Sequence, residues 1–480
     1  MIGKQQLQIT ALDFQKGSSS SDYAQDGGFS PLSTGLNLNI QQGSIYSMAV
    51  PTNASANVSQ GSTVYFVASC SYHGNGVSTN RRNFLDTGAT FYSLAGTTMT
   101  AAATGAKTYS RGISDLAAFN GAYYATSAND ITLWTGSTIT SEVWWTSTMS
   151  KGALGNYPHP MIVYNKILWI ADGQYLHSYD GSIATAPALD LGANQTIYAL
   201  GIDPGSGQML ISSSVGVDPS VLYSGPRFVW LFDGASSRPS RVIPTNDLVL
   251  SFYSVGGTVF VGTTKNIGIW NGNGIQVIHR LLNTTYDSNT EPYKSHLTSL
   301  GNVLYFIDGK NMYAYGEVSQ VNNFYMMALR VFYPCFQPVA GTAVQDYIDF
   351  VTNIGSGGLG VFYKSTVATN IFSILDTTTA GAGGTLVSNR YEFPRPIVLH
   401  RIRVFTTGVT ANATAGVVSV MDETGTVITP VNQMGIAAGT KNYFDFDFGG
   451  KNMQTAQFNV NLGYSGLGLN RIVAYYDWAE

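Results

Sequence analysis

Charged residues are scarce in this chain. Asp, Glu, Lys and Arg together make up 11% of its 480 residues, whereas they make up about a quarter of an ordinary globular domain. This scarcity argues against long helices with charged outer faces. The net charge is −4 and the 24 basic residues are spread thinly, so the sequence lacks the basic patch that tight nucleic-acid binding requires.

Cysteines and long apolar runs are also lacking. Cys70 and Cys335 are the only two cysteines, and their wide separation argues against a disulfide framework. No run of about 18 apolar residues is present, which excludes a transmembrane helix. The opening MIGKQQLQITALDF has no apolar core of signal-peptide length. We therefore expect a protein made in the cytoplasm and not inserted in a membrane.

Catalytic and metal-binding motifs are missing as well. The chain has no P-loop, no Gly-x-Ser-x-Gly elbow and no Cys-His pairing with a local signature. The six histidines lack the spacing of metal ligands; they are His73, His159, His177, His279, His296 and His400. The sequence thus predicts no catalytic residue, no metal ligand and no cofactor, and a protein that is not an enzyme.

What the chain has in abundance is apolar, glycine and aromatic residues. Hydrophobic residues make up 44%, with 53 glycines and 29 tyrosines. A chain of this composition is globular, and its glycines and β-formers suit many short strands joined by tight turns. These features predict an all-β fold.

One three-run pattern recurs along the chain. The stretch MIVYNKILWIADGQYLHSYDG, which ends at Gly181, alternates apolar runs with tight turns and closes on an aromatic residue and Asp-Gly. Related stretches end at Gly88, Gly136, Gly234, Gly272 and Gly316. The ends are about 40 to 50 residues apart, which is the length of a four-stranded propeller blade. We expect a degenerate β-propeller of about six blades over residues 45–327, with the aromatic residues near the unit ends packed between neighbouring blades: Trp134, Tyr179, Phe232, Trp270 and Tyr315.

The two flanks differ from the repeat. Residues 1–44 contain one alternating run, LQITALDF, followed by a Ser- and Gly-rich stretch. They predict an N-terminal arm whose single strand joins another domain or another subunit, or else a partly mobile terminus. Residues 328–480 contain eight longer alternating runs, which predict a β-sandwich or jelly-roll-like domain.

Two motifs allow a chemical interpretation. GSGGLG, from Gly355 to Gly360, matches a phosphate-binding pattern, but no helix follows it, so a glycine-rich hairpin turn is favoured. In FDFDFGG, Asp445 and Asp447 share one face of a strand. Two carboxylates at this spacing can bind a cation or act as acid and base, or they can form the solvated face of a half-buried strand.

Arginine and aromatic residues supply the remaining candidates. Four arginines lie within NRYEFPRPIVLHRIRV, and three of them form a candidate interface: Arg395, Arg401 and Arg403. These could dock an acidic surface of a neighbouring subunit, or form a solvated strand face. Three aromatic pairs are either sugar-stacking platforms or packing residues; they are Tyr123-Tyr124, Trp144-Trp145 and Tyr475-Tyr476.

The whole layout resembles a known family. The chain combines an arm containing GGFSPLSTG, a degenerate propeller, RIRVFTTG and a closing LNRIVAYYDWAE. This is similar to the tail hub or nozzle proteins of short-tailed, podovirus-type bacteriophages. The resemblance implies a homo-oligomeric ring, usually a hexamer, beneath the portal and adaptor proteins. Such a ring conducts double-stranded DNA without sequence-specific binding and anchors tail fibres or spikes. The implied location is the virion tail, assembled in the host cytoplasm.

Two other classes of function remain open. One is a carbohydrate- or receptor-binding virion protein, such as a fibre or capsid decoration, which would expose aromatic side chains around a groove. The other is a propeller-fold glycan hydrolase or lyase, which would need convergent carboxylates in a central channel.

Overall fold

The protein is described from a computed structural model. The residues that the structure describes are 5–10, 36–39, 44–47, 52–53, 66–71, 82–86, 90–95, 98–104, 109, 114–127, 130–135, 138–141, 158–216, 225–281, 296–301, 303–316, 333–334, 344–355, 358–365, 370–376, 384–407, 418–434, 443–462 and 468–479.

The all-β class is confirmed. Strands joined by turns account for the described residues, and none of these residues lies in an α-helix. Within the same ranges, no helix has the length and apolarity needed to span a membrane. The chain forms two compact units, one of Thr52–Lys310 and Ala340–Ile374, the other of Met1–Pro51, Asn311–Val339 and Leu375–Glu480.

Twenty strands lie within the described residues up to Thr245. Before the repeat come β1 (Gln5–Thr10), β2 (Leu36–Asn39), β3 (Ser44–Ser47) and β4 (Thr52–Asn53). The next eight are β5 (Phe66–Ser71), β6 (Arg82–Asp86), β7 (Thr90–Ala95), β8 (Thr98–Thr104), β9 (Leu116–Phe119), β10 (Ala122–Thr126), β11 (Ile131–Trp134) and β12 (Ile139–Ser141). The remaining eight are β13 (Met161–Tyr164), β14 (Ile167–Asp172), β15 (Tyr175–Tyr179), β16 (Ala184–Asp190), β17 (Gln195–Asp203), β18 (Gln208–Val215), β19 (Arg227–Phe232) and β20 (Arg241–Thr245).

Seventeen further strands follow. The next eight are β21 (Val249–Val255), β22 (Thr258–Thr263), β23 (Asn266–Trp270), β24 (Ile275–Arg280), β25 (Leu297–Leu300), β26 (Val303–Asp308), β27 (Asn311–Gly316) and β28 (Tyr333–Pro334). The last nine are β29 (Val344–Gly355), β30 (Gly358–Ser365), β31 (Asn370–Asp376), β32 (Gly384–Thr407), β33 (Val418–Met421), β34 (Val427–Ile428), β35 (Asn432–Met434), β36 (Tyr443–Leu462) and β37 (Gly468–Trp478).

Tight turns define the antiparallel repeat, as the sequence predicts. Asn165 and Lys166 join β13 to β14 with φ values of 52° and 61°. Gly256 and Gly257 join β21 to β22 with φ values of 54° and 84°. Two successive positive φ angles give a turn whose twist matches that of the two flanking strands. Gly tolerates these angles without steric cost and Asn at small cost, so the Gly-Gly turn is specified by its residues, whereas Lys166 adopts an angle that is unfavourable for a lysine.

Seven four-stranded antiparallel sheets are present in the described part of the chain. Six are meanders of consecutive strands, β5–β8, β9–β12, β13–β16, β17–β20, β21–β24 and β25–β28, and the seventh has the order β29-β30-β31-β4. The first strands contact one another in the order β5, β9, β13, β17, β21, β25 and β29, and β29 contacts β5. This cyclic order of contacts is the one that a propeller requires.

The predicted packing of aromatic residues between neighbouring sheets is confirmed at four of its five positions. Trp270 belongs to a buried cluster that includes Leu210 and Val229 of the preceding sheet. The other three contact a ring of a neighbouring sheet, with ring centroids 5.1 Å apart for Phe91–Trp134, 6.0 Å for Phe119–Tyr179 and 5.6 Å for Trp169–Phe232. Each large side chain buried in this way contributes about 1.5–3 kcal/mol to stability.

The seventh sheet is a difference from the sequence prediction, which ended the propeller at residue 327. Strands β29 to β31 fall in the predicted β-sandwich of residues 328–480, yet they pair with β4, which comes from near the other end of the chain. Phe350, Phe362 and Phe372 of this sheet pack against Tyr92 and Leu94 of the β5–β8 sheet. An alternating strand has the same local pattern in either kind of sheet, so the sequence does not identify its pairing partner.

The second unit contains a nine-stranded sheet. Its path is β2-β3-β37-β32-β36-β33-β34, with β1 paired to β37 and β35 paired to β36. The predicted arm, residues 1–44, was expected to contain one strand. In the structure β1, β2 and β3 all join this sheet, and β1 pairs with β37 over its whole length, from Gln5↔Tyr476 to Thr10↔Arg471. Residues 11–35 lie outside the described part of the chain.

The two long strands of this sheet are irregular near their middles. The register between β32 and β36 shifts between Glu392 and Ile397 and again between Leu399 and Arg401. Gly449 and Gly450 lie opposite the second shift and have φ values of 65° and 78°. Such angles form a bulge that re-aims the strand. Beyond this bulge, Arg401 and Arg403 face the same side of the sheet.

Candidate functional site

The candidate interface arginines all lie on β32, but in different local settings. Arg395 is exposed and lies within the stretch where the register with β36 shifts. Arg401 and Arg403 lie after the second shift, where pairing with both β36 and β37 is regular as far as Phe405. The structure therefore brings Arg401 and Arg403 together on one regular surface, while Arg395 lies in the irregular part of the strand.

Strand register determines which side chains share a face with these two arginines. Residues directly opposite one another in antiparallel strands point to the same side of a sheet. Arg401 is opposite Asp447 and Tyr475, and Arg403 is opposite Asp445. The alternate residues Ile402 and Val404 are buried on the other side. We call the resulting surface the arginine–tyrosine face, formed by Arg401, Arg403, Phe405, Tyr443, Asp445, Asp447, Arg471 and Tyr475.

Arg403 is held by a paired carboxylate. Its Nε donates to Oδ1 of Asp445 at 2.7 Å, and its Nη2 donates to Oδ2 at 2.8 Å. Two parallel bonds between a guanidinium and a carboxylate are among the strongest polar contacts in proteins. The hydrogen bond to Asp445 raises the pKa of Arg403 above its ordinary value. The charge of Arg403 is thus largely satisfied within the chain.

Arg401 has weaker polar contacts and a closer aromatic one. Its Nε lies 3.8 Å from Oδ1 of Asp445, which is beyond hydrogen-bonding distance. Its guanidinium carbon lies 4.4 Å from the ring centroid of Tyr475. A cation over an aromatic face at this distance is favourable by about 0.5–1 kcal/mol at a partly exposed site. Stacking fixes the guanidinium plane, and the side chain of Arg401 is 16% exposed.

Two further stacks extend this surface. The guanidinium carbon of Arg471 lies 3.9 Å from the ring centroid of Phe405, and that of Arg403 lies 4.1 Å from the ring centroid of Tyr443. Sequence reasoning missed Arg471 as a site residue. Alternation along β37 places Arg471 on the same side as Tyr475, but only the pairing with β32 shows that Phe405 is its neighbour.

The two carboxylates of FDFDFGG do share this face, as the sequence predicts, but they have different partners. Asp445 is buried and bound to Arg403. Asp447 accepts a hydrogen bond from the backbone N–H of Gly449 at 2.8 Å, which supports the bulge. Both carboxylates therefore serve the local structure of the sheet in the described residues.

The other sequence candidates lie in ordinary structural settings. Gly355 pairs with Gly358 at the turn between β29 and β30, so the glycine-rich stretch is a hairpin, as predicted, with residues 356–357 outside the described ranges. The pairs Tyr123-Tyr124 and Tyr475-Tyr476 are buried, in agreement with packing. Trp144, Trp145 and His73 lie outside the described residues.

Two histidines, the buried His159 and the half-buried His279 of β24, contact residues of neighbouring strands. His159 precedes β13, and its Nδ1 lies 3.0 Å from the carbonyl oxygen of Ala171. Nε2 of His279 lies 2.9 Å from Oδ2 of Asp308, at the end of β26. A polar group buried in this way requires a hydrogen-bond partner. These contacts account for both histidines as structural residues.

The arginine–tyrosine face is suited to binding a macromolecular partner. Its half-buried arginines and Tyr443 are of residue types that are enriched at protein interfaces, and the buried Tyr475 supports Arg401. It carries three guanidinium groups and two carboxylates, so its local charge is weakly positive. Such a surface suits a partner that offers carbonyl and carboxylate oxygens.

Comparisons with known proteins identify no family. No protein-family model matches the chain, and no curated protein matches it. Among solved structures, the chain is similar to the extracellular domain of a hybrid two-component system from B. thetaiotaomicron, with 10% identity and a TM-score of 0.49. That match covers 91% of this chain and 60% of the other, so this chain spans less than two thirds of that protein. A chain of the mitotic checkpoint complex gives 10% identity and a TM-score of 0.41, covering 69% of this chain and 92% of that one.

Proposed function

We propose that the protein is a structural subunit of a short-tailed bacteriophage tail, of the hub or nozzle type, that assembles into a ring of identical copies. The observation that carries the assembly part of this proposal is the stack of Arg401 on Tyr475. A guanidinium held in this way loses little side-chain entropy when a partner binds, so the association is correspondingly favoured.

The composition supports the same proposal. With 11% charged residues, most of the surface consists of neutral polar and small apolar groups. Such surfaces are buried against identical copies at a smaller desolvation cost than charged ones. A contact between two different patches, repeated around a closed rotation, gives a ring.

The proposed partners follow from the resemblance to tail hub and nozzle proteins. The ring is a hexamer that docks to the portal and adaptor proteins and anchors tail fibres or spikes. Double-stranded DNA passes through it without sequence-specific contacts, which the weakly acidic net charge of −4 favours, because a neutral or acidic channel does not retain phosphates. The ring is assembled in the host cytoplasm and resides in the virion tail.

The test must spare the internal ion pair. Replacing both Arg401 and Arg403 by Glu would set two new carboxylates beside Asp445 and would disturb the fold itself. Arg395 is exposed and lies on the same strand, so Arg395→Glu changes the candidate interface without breaking that ion pair. Arg401→Lys keeps the charge but removes the planar stack on Tyr475.

The measurement is the size of the purified protein by analytical ultracentrifugation, with electron microscopy of the same samples. We expect rings for the natural sequence and for Arg238→Glu, a matched control at an exposed arginine in the turn after β19. We expect Arg395→Glu and Arg401→Lys to shift the protein toward monomers. A natural protein that remains monomeric at high concentration, or variants that assemble as well as the control, would contradict the proposal.

A carbohydrate- or receptor-binding virion protein is the second candidate function. The observation that favours it is a pocket on the nine-stranded sheet whose lining combines neutral polar side chains with Val387, Met421 and Val427.

A further inference from the structure

The turn between β23 and β24 contains two Asn-Gly dipeptides in succession. Residues 271–274 join the two strands and have the sequence Asn-Gly-Asn-Gly. The backbone N–H of Asn271 donates to the carbonyl oxygen of Gly274 at 3.1 Å, which closes the turn. Asparagine followed by glycine is chemically labile, because glycine has no Cβ to keep its backbone nitrogen away from the side-chain carbonyl carbon of the asparagine. The turn therefore offers two neighbouring positions for the same reaction.

Both dipeptides have open surroundings. A Cβ atom added at Gly272 or at Gly274 would meet no atom within 4 Å. Asn271 and Asn273 are both exposed. The fold thus leaves space for a five-membered ring to form at either asparagine, and water reaches both.

The two asparagine side chains differ in the donor that binds their carbonyl oxygen. Oδ1 of Asn271 accepts a hydrogen bond from the backbone N–H of Asn273 at 3.0 Å. Oδ1 of Asn273 accepts one from Nη2 of Arg241 at 2.8 Å. Nη1 of the same guanidinium donates to the carbonyl oxygen of Gly272 at 3.3 Å. One asparagine therefore has a neutral donor, and the other has a donor that stays positively charged.

Arg241 reaches this turn from the neighbouring sheet. It is the first residue of β20 and pairs with Leu231 of β19, within the β17–β20 sheet. The turn belongs to the β21–β24 sheet, and the two sheets share the buried cluster that contains Val229 and Trp270. The position of the guanidinium is thus set by the packing of two sheets and not by the turn alone.

The reaction expected at an Asn-Gly dipeptide is the loss of ammonia. The backbone nitrogen of Gly274 gives its proton to water or hydroxide and attacks Cγ of Asn273, so a C–N bond forms and an electron pair moves to Oδ1. When the carbonyl forms again, the side-chain nitrogen leaves with an added proton as ammonia, and a succinimide ring remains. Water then adds to one of the two ring carbonyls and opens the ring to aspartate or isoaspartate. Because negative charge develops on Oδ1, a cation bonded to that atom stabilises the transition state.

We propose that Asn273 is a site of spontaneous deamidation, promoted by Arg241 through its hydrogen bond to Oδ1. Water is the only other reactant, so the modified fraction of the protein rises with time after synthesis. In the aspartate product, the new carboxylate lies beside the same guanidinium, and a neutral acceptor is replaced by an ion pair between two sheets. This reaction is separate from ring assembly, because neither residue belongs to the arginine–tyrosine face.

The test is incubation of the purified full chain at mildly alkaline pH, with peptide mapping by mass spectrometry to measure aspartate and isoaspartate at both asparagines. We expect Asn273 to react about three- to fivefold faster than Asn271, a modest factor because the interaction with Arg241 is exposed to water. Arg241→Met removes the charged donor at similar length, so it should lower the rate at Asn273 by about the same factor and leave Asn271 unchanged. Arg238→Met, a matched control at an exposed arginine in the turn after β19, should react like the natural protein.

A second variant tests the nucleophile. Gly274→Ala places a Cβ next to the attacking nitrogen, in space that the fold leaves open. It should slow deamidation at Asn273 severalfold, while Asn271 reacts as before. The melting temperature of each variant is measured first, and values equal to that of the natural protein show that the fold is intact.

Four results would overturn the proposal. Asn273 could react no faster than Asn271 in the natural protein, or the rate at Asn273 could be unchanged in Arg241→Met. A faster reaction in Arg241→Met would show that the hydrogen bond only restrains the asparagine side chain. An unchanged rate in Gly274→Ala would show that the amide is lost without attack by the backbone nitrogen of Gly274.

Discussion

Arg403 and Asp445 lie directly opposite one another on β32 and β36 and are joined by two hydrogen bonds of 2.7 Å and 2.8 Å. This pairing satisfies both carboxylate oxygens of Asp445. Arg403, which the sequence suggests as a surface arginine, therefore stabilises the sheet. On the same face, the guanidinium groups of Arg401 and Arg471 stack on aromatic rings.

The first prediction concerns the contribution of the Arg403–Asp445 ion pair to stability. Arg403→Gln should lower the free energy of unfolding by about 1.5–3 kcal/mol, because Asp445 is buried and would lose two charge-assisted hydrogen bonds. Urea denaturation followed by circular dichroism measures this change. Asp445→Asn and the double variant complete a thermodynamic cycle, and we expect a coupling energy well above zero. Additive effects of the two single changes would show that the pair contributes no interaction energy.

Close contact between neighbouring sheets is tested at Gly201. A Cβ atom there would lie 2.4 Å from Cβ of Phe252 on β21, so Gly201→Ala must displace one strand against the other. Overpacking of this kind costs about 1–3 kcal/mol. The matched control is Gly274→Ala, where a Cβ would meet no atom within 4 Å. We expect a lower melting temperature for Gly201→Ala and an almost unchanged one for Gly274→Ala; equal values would contradict the packing described for β17 and β21.

The carboxyl group of Asp233, at the start of a turn, should have a lowered pKa. Hydrogen bonds from Ser236, first from its hydroxyl and then from its backbone N–H, lower the pKa of Asp233 to about 2. The folded pKa lies below the unfolded value. The stabilisation by this turn is therefore complete above the unfolded pKa and is lost as the pH falls through the folded pKa. NMR titration should give a pKa near 2 for Asp233. Ser236→Ala should raise it toward the ordinary value, whereas Ser237→Ala, at the next exposed position, should not.

Tyr109 should resist ionisation. Burial raises its pKa to about 12, against a smaller opposing effect of the hydrogen bond with Thr132 at 2.6 Å. Because the folded pKa exceeds the unfolded one, the stability that this tyrosine contributes is present below the unfolded pKa. It is lost as the pH rises through about 12. Ultraviolet difference titration should show one fewer late-titrating tyrosine in Tyr109→Phe than in the natural protein.

Tyr109→Phe should also lower stability at neutral pH. The change leaves Oγ1 of Thr132 with its bond to the carbonyl oxygen of Ala125 but without the tyrosine hydroxyl. The loss of one such hydrogen bond costs about 1 kcal/mol. An unchanged free energy of unfolding would show that the Tyr109–Thr132 bond makes no net contribution.

The sequence by itself determined the secondary structure and its turns. Period-2 alternation with β-branched and aromatic residues predicted strands, and dipeptides such as Gly256-Gly257 predicted where they reverse, because glycine tolerates positive φ angles. The aromatic residues near the unit ends were also predicted to pack between sheets, as Trp134 and Phe232 do. All of these features depend on residues close together in the chain.

Only the tertiary structure decided which distant strands pair. The seventh sheet joins β4 to β31, with residues 54–369 between the partners, and the nine-stranded sheet joins β1 to β37, with nearly the whole chain between them. Pairing of this kind depends on how complete sheets close and pack, which no local pattern encodes. The candidate functional site also could not be predicted from local patterns. The contact of Arg401 with Tyr475 follows from strand register, which becomes defined only when the sheet forms.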